Sequence, residues 1–269
     1  MKKLFSLFLV ALLAFGALAG CSTKEEKKDT AKSTSNDVLA KIKKDGKLLV
    51  GTEGTYPPFT FHDEGGKLTG FDVQIAEEVA KRIGVKAEFK ETQWDAMFAG
   101  LDAKRFNMIA NQVGIRPDRQ EKYAFSKPYI SSSAVLVIPK DKDKPAKFAD
   151  VKGLKGAQSL TSNFADIAKK NGAEIVGVEG FNQAAELLSS GRVDFTINDR
   201  LSVLNYIATK KDAKIKISDT EANASDSGLM FRKDSQTLVD AVNKALDDMK
   251  KDGTYAKISE KWFGEDVSK

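Results

Sequence analysis

The 269-residue chain holds one cysteine, Cys21, and one histidine, His62. A disulfide has no second thiol to form with, and a His/Cys metal site or a Cys–His catalytic pair lacks its ligands. No Gly-rich segment runs into Lys-Ser/Thr, so a phosphate-binding loop of that type is excluded. Charge of one sign is never concentrated: 43 Lys and Arg stand among 38 Asp and Glu, a formal net charge of +5. Such interspersion describes a solvated surface and not a nucleic-acid footprint. Apart from Leu4 to Leu18 the chain has no long apolar run, so no other segment has the length to span a bilayer.

What is present begins with that run. Lys2 and Lys3 precede it, small residues follow it, and it is short for a membrane span. Residues 1–20 therefore read as a secretory signal. Leu18-Ala19-Gly20-Cys21 resembles the lipobox of bacterial lipoproteins. The resemblance implies cleavage before Cys21 and lipidation of its thiol with diacylglycerol, the amine being open to an acyl group such as palmitate. Loss of Lys2 and Lys3 would take the net charge from +5 to +3. Ser22 to Asn36 lacks large apolar residues and cannot offset its own ordering entropy, so 21–36 reads as a disordered tether. Fifteen such residues reach roughly 20 Å. The expected location is the outer face of the cytoplasmic membrane, lipid-anchored, on a Gram-positive type of surface.

Beyond the tether, strand and helix patterns alternate. Lys47 to Glu53 reads as a strand, and Phe59 to Phe61 and Lys67 to Gly70 flank a turn at Asp63 to Gly66. Asp72 is placed to cap a helix with Ile75, Val79 and Ile83 on one face and Gly84 at its end. Val85 to Glu91, the helix Trp94 to Ala103 and the strand Asn107 to Ala110 follow. After an extended run at Ser132 to Ile138, a second series repeats the alternation between Gly156 and Thr209. A further extended run, Ser227 to Arg232, leads to two helices, Leu238 to Lys250 and Tyr255 to Trp262. Two such series predict an α/β protein with parallel-type sheets in two lobes.

Several stretches carry a family likeness. GTEGTYPPFTF (51–61), GKLTGFDVQIAEEVAKRIGV (66–85), TQWDAMFAGLDAKRFNMI (92–109), RPDRQEKYAFSKPY (116–129), SGRVDFTINDR (190–200) and NKALDDMKKDGTYAKISEKWFG (243–264) resemble the successive signatures of polar amino-acid-binding proteins, the solute receptors of ABC importers. The likeness covers nearly all of Lys41 to Gly264. NQVG, AQSLTSN and NDRLSVLNY are similar in particular to cystine-binding members. The resemblance implies a two-lobed periplasmic-binding-protein-like α/β fold, with a ligand cleft between lobes joined by two hinge strands. Lobe 1 would comprise 37–130 and 228–269, and lobe 2 131–227, with hinges near Tyr129–Ser133 and Ser225–Leu229. It also implies a monomer without cofactor or metal that closes on an amino acid and docks on an ABC permease with a separate ATPase subunit.

A free amino acid is a zwitterion, so a buried site must offer a cation to its carboxylate and an anion to its ammonium. The resemblance puts Arg119 on the carboxylate, where a planar fork can hold both oxygens, and Asp199 on the ammonium. Asp199 equally suits the cap of the helix that follows, and one carboxylate would not easily do both. Thr161, Ser162 and Asn163 open a helix whose free N–H groups attract anions, and are expected to share the ligand carboxylate. Leu160 and Gly114 depart from the family's frequent glycine and serine or threonine, so one hydroxyl contact there passes to backbone or is lost. Tyr56 and Trp94 match positions that wall the aliphatic stem, with core packing as the plain alternative. The carbonyl of Gln112 or Val113 would be the second ammonium partner. Glu53 would read the distal end of the ligand, with Asn111, Gln112 and Asn198 nearby; the plain alternative is a solvated glutamate. Three readings stay open: a receptor for cystine, a receptor for another polar amino acid or a sensor, and an enzyme of the same fold such as a cyclic-acid dehydratase.

Overall fold

Asp37 accepts hydrogen bonds from the amides of Leu39 and Ala40 and so starts the helix α1, Val38–Asp45, which the sequence patterns did not mark. The structure, a computed structural model, describes residues 37–267; the predicted signal segment, Cys21 and the tether lie outside the described residues. The strands β1 (Lys47–Thr52), β2 (Thr55–Tyr56), β3 (Thr60–His62) and β4 (Leu68–Thr69) follow. β2, β3 and β4 form a small antiparallel sheet, and Asp63 closes its turn by accepting from Gly65 and Lys67.

The helix α2, Phe71–Ile83, buries Phe71, Ile75, Ala76, Val79 and Ala80, the apolar stripe that its spacing demands. Its N-cap is Gly70, not Asp72. Gly70 has φ +130°, and a Cβ there would sit 2.2 Å from the carbonyl oxygen of Phe59, so only glycine lets the chain turn into α2 so close to β3. Asp72 falls one residue inside the helix and points into the protein. The chain continues through β5 (Lys86–Glu91), α3 (Trp94–Asp102), β6 (Met108–Gly114), α4 (Pro117–Lys122), β7 (Tyr123–Phe125) and β8 (Ile130–Ser132). Arg119 therefore lies on a short helix begun by Pro117 and not in an open turn.

The second series is β9 (Ala134–Pro139), β10 (Lys155–Gln158), α5 (Asn163–Lys170), β11 (Glu174–Gly177), α6 (Phe181–Ser189), β12 (Phe195–Asp199), α7 (Arg200–Thr209) and β13 (Ile215–Thr220). The long strand β14 (Ser225–Arg232) then leads to α8 (Gln236–Lys251) and α9 (Thr254–Phe263).

Two mixed sheets result. The first runs β5-β1-β6-β14-β7, with β8 also on β14, and the second β11-β10-β12-β9-β13. The parallel pairing predicted from the alternation holds for β5-β1-β6 and for β11-β10-β12. Each sheet is completed by antiparallel strands, because β14 and β9 run against their neighbours β6 and β12. The chain passes between the sheets twice, and the two passages lie side by side: β8 pairs with β14 from Ser132↔Ser225 to Ile130↔Ser227. α8 and α9 pack on α2, in the lobe of the first sheet.

Beside these passages lies an aromatic cluster. Phe71 stacks on Tyr129 at 6.0 Å and meets Tyr255 and Phe263 edge-on, and the Tyr255 hydroxyl donates to the Tyr129 carbonyl. Each such buried ring contributes about 1.5–3 kcal/mol, so the start of the crossing is anchored to the core of the first lobe. Gly70→Ala is expected to destabilise the protein by about 1–3 kcal/mol, from left-handed backbone strain plus collision with Phe59. Gly66→Ala, with φ +77° but nothing within 4 Å of its added carbon, should cost less, about 1 kcal/mol. Urea unfolding of both variants checks the order.

Candidate functional site

The cleft between the two sheets is shaped by Gln112. Its φ of +48° is rare for a side-chain-bearing residue, and it lies where the β6–β14 register shifts between Gly228 and Met230. Asp72, wholly buried, holds this bulge: its Oδ2 accepts from the Gln112 amide at 2.7 Å and its Oδ1 from the Tyr129 hydroxyl at 2.8 Å. Burial raises the Asp72 pKa to about 7. The capping role expected of Asp72 is thus replaced by one that joins the bulge to the crossing strand.

Arg119 is only 6% exposed. Its guanidinium carbon lies 5.4 Å from the ring centroids of both Trp94 and Phe98, and Nη1 donates to the Gly114 carbonyl at 3.1 Å. Among the described residues no carboxylate oxygen lies within 4 Å of it, whereas Arg116 is paired with Asp118 and Asp166. Burial, then the neighbouring Arg116 charge, lower its pKa to about 10. Asp118 and Asp166 act on this cation only from beyond ion-pair distance.

Asp199 is 4% exposed and ends β12. Its Oδ1 accepts from the amides of Leu201 and Ser202 at 2.8 and 3.3 Å, capping α7. One oxygen takes both cap bonds, and the side chains of Ser132 and Gln112 also donate to the carboxylate. Burial raises its pKa to about 6.

The residues before α5 differ from expectation. The Thr161 amide and hydroxyl donate to Asp95 Oδ1 at 3.1 and 2.6 Å, and the Leu160 amide to Oδ2 at 3.2 Å. The first-lobe carboxylate of Asp95 thus occupies the Thr161 donors expected to meet a ligand carboxylate. The Ser162 hydroxyl is the N-cap of α5, accepting from Ala165 and donating to the Ser159 carbonyl. Asn163 faces the cleft. The Val113 side chain is buried with Trp94 and Met97 in the first-lobe core, and Gln112 lines the cleft.

Two chambers share Gln112, Asn163 and Phe164 as their common wall. The inner one is narrow, with a cavity volume of about 50 Å³. Glu53, Tyr56, Trp94, Asn111, Gln158 and Asn198 face it. Gly114, Asp199, Arg116 and Asp166 face the outer one; Arg119 sits behind Gly114 and Trp94. Trp94 is therefore both core and wall. In the inner chamber Asn111 grips Glu53, accepting from its amide at 2.8 Å and donating to Oε2. Burial raises the Glu53 pKa to about 7, helped by the charge of Asp95 and opposed by the Asn111 bond. Glu53 is thus no solvated surface acid. The Tyr56 hydroxyl donates across the cleft to Asn198 Oδ1 at 2.7 Å.

The lobes meet directly elsewhere too: Ser202 Oγ donates to the Pro57 carbonyl at 2.8 Å, and Arg116 pairs with Asp166 at 2.8 Å. Sequence reasoning missed Asp72, Asp95 and Gln158, although each lies inside a quoted motif. Among the described residues no helix is long and apolar enough to cross a membrane, and no group of three or more His, Cys, Asp or Glu side chains could hold a metal ion.

Two α/β lobes with a charged, polar cleft between them define a solute receptor. Residues 48–265 match the bacterial extracellular solute-binding proteins, family 3, and the chain belongs to that family. It is 52% identical over 269 residues to the L-cystine-binding protein TcyA of Bacillus subtilis (strain 168), covering 100% of this chain and 99% of that relative. The L-cystine solute receptor of Neisseria gonorrhoeae in its unliganded open conformation is 46% identical, with a TM-score of 0.57 over 86% of this chain and 99% of that one. An ancestral arginine-binding protein bound to arginine is 38% identical, with a TM-score of 0.77 over 81% and 99%. The better superposition goes to the ligand-bound structure despite its lower identity, in keeping with the direct hydrogen bonds between the lobes.

The raised carboxyls carry a pH signature. A folded-state pKa of about 6 for Asp199, against an ordinary 3.8, contributes stability that is complete below pH 3.8 and is lost as pH rises through 6. Glu53 and Asp72, both at about 7, act in the same direction. The ligand-free protein should therefore lose stability between about pH 4 and pH 7, each unit of raised pKa corresponding to about 1.4 kcal/mol. Urea unfolding across this window should show a shallower decline in Asp199→Asn, which keeps the cap but cannot ionise.

Proposed function

We propose that this protein is the extracytoplasmic amino-acid receptor of an ABC importer and that its ligand is L-cystine. One observation carries the reading: an enclosed guanidinium without a carboxylate partner, Arg119, belongs to one lobe, and an enclosed carboxylate with one oxygen outside its cap bonds, Asp199, belongs to the other. A zwitterion offers a carboxylate to Arg119 and an ammonium to Asp199, whose carboxylate otherwise meets only the neutral donors Ser132 and Gln112 besides its cap bonds. Arg119, beside Gly114, takes the ligand carboxylate; Asp199 and the Gln112 carbonyl take the ammonium; Asn163 closes over them. Tyr56 and Trp94 flank the stem, and Glu53 with Asn111 meets the far end. The cystine specificity is supported by the names of TcyA and of the Neisseria receptor.

The lobe boundaries fall in the paired crossing strands, 37–130 and 228–269 against 131–227. A ligand held by both lobes favours closure by its differential affinity for the closed form. The Asp95–Thr161 bonds help to hold that form shut. The closed form is what a permease with its separate ATPase would recognise, so the protein acts as a monomeric binder and not as an enzyme. The lipobox-like Leu18–Cys21 supports a lipid anchor at Cys21 on the outer face of the membrane.

Arg119→Ala and Asp199→Ala should each weaken cystine binding about 30-fold to several thousand-fold, the consequence of losing ~2–5 kcal/mol when a desolvated charge pair is broken. Calorimetric titration measures this, with circular dichroism confirming the fold; near-normal affinity in either variant would refute the assignment. Asp95→Ala removes three hydrogen bonds between the lobes at about 0.5–1.5 kcal/mol each. It should weaken binding at least about threefold and enlarge the ligand-saturated protein in small-angle scattering.

A further inference from the structure

The inner chamber contains two donors without acceptors. Gln158 Nε2 and Trp94 Nε1 are buried and have no hydrogen-bond partner among the described residues, and both residues line this chamber. Gln158 is 2% exposed and ends β10 in the second lobe; Trp94 is 7% exposed and begins α3 in the first. Buried N–H groups are almost always paired, and leaving one unpaired costs about 1–3 kcal/mol. Two such donors, on residues that line one cavity from opposite lobes, suit an acceptor that arrives with the ligand. The same chamber presents the Glu53 carboxylate, of which Oε2 is held by Asn111.

Donors and an acid together suit a group that carries both an acceptor and an ammonium. An apolar end would leave both N–H groups unmet, and a purely cationic end would face them unfavourably. Resting on the amino-acid reading above, we propose that the inner chamber recognises a second amino-acid terminus: Gln158 and Trp94 donate to its carboxylate while Glu53 accepts from its ammonium. The ligand class is then the double-headed amino acids, with cystine among them, and Gln158 is a specificity-determining residue. Trp94 contributes through its ring nitrogen as well as through its faces.

The test compares L-cystine with S-methyl-L-cysteine, which keeps the first head and the sulfur-bearing stem but ends in a methyl group. Calorimetric titration of the purified full chain should show wild-type preference for cystine. Gln158→Leu is expected to lower cystine affinity at least about tenfold, as loss of a hydrogen bond to a charged group implies. It should leave S-methyl-L-cysteine within about threefold, which also reports that the variant is folded. Trp94→Phe, which keeps an aromatic wall, and Gln158→Glu, which keeps the size but sets a carboxylate against the distal one, should shift the same ratio in the same direction. Equal weakening of both ligands, or no change for cystine in Gln158→Leu, overturns the inference. Wild-type binding of S-methyl-L-cysteine as tight as cystine also overturns it and leaves the amino-acid reading intact. Wild-type binding of neither overturns that reading and the inference with it.

Discussion

An arginine that is enclosed but has no direct carboxylate partner among the described residues is the constraint around which this cleft is organised. The aromatic faces of Trp94 and Phe98 and the Gly114 carbonyl stabilise the Arg119 guanidinium, yet a carbonyl dipole and two quadrupoles do not neutralise a full charge in a medium of low dielectric. The same holds in the opposite sense for Asp199, whose cap bonds offset only part of its desolvation. Both groups make the ligand-free site electrostatically incomplete, and they do so on different lobes. Completion of the site and closure of the lobes then become one event in the proposed mechanism.

The remaining polar groups serve that arrangement at a distance. Asp72 contacts neither Arg119 nor Asp199, but it binds the Gln112 amide and the Tyr129 hydroxyl. It thereby fixes a left-handed residue in the cleft wall and the start of the crossing strand through one carboxylate. Asp95 reaches across the cleft to the turn before α5, so that a first-lobe acid satisfies backbone donors of the second. Charge is distributed accordingly: Asp72 and Asp95 hold the frame, while the enclosed Arg119 has no carboxylate within ion-pair distance among the described residues.

Much of the frame was legible beforehand because it follows from local rules. The stripe Ile75, Val79, Ile83 had to be a helix, the alternation of strands and helices had to build layered sheets, and Asp199 had the chemistry and position of a cap. The quoted motifs pointed to Arg119, Asp199, Glu53 and Trp94 through likeness to a family. The places where local reading failed share a cause. Asp72 reads as a cap by position, but Gly70, pressed against the Phe59 carbonyl, starts the helix earlier. Thr161 reads as an open anion site, but a residue 66 positions away in sequence takes its donors.

The sequence by itself determined the absence of disulfide and thiol chemistry in the described residues, the two α/β series and the residues able to carry opposite charges. These depend on composition and on periodicities of a few residues. Only the tertiary structure decided which acid faces which donor across the cleft, that one Asp199 oxygen alone caps α7, and that Gln158 and Trp94, each with an unmet N–H, line one chamber. Those outcomes depend on contacts between residues tens of positions apart, where burial sets the energy of every polar group and no local pattern records who the neighbour will be.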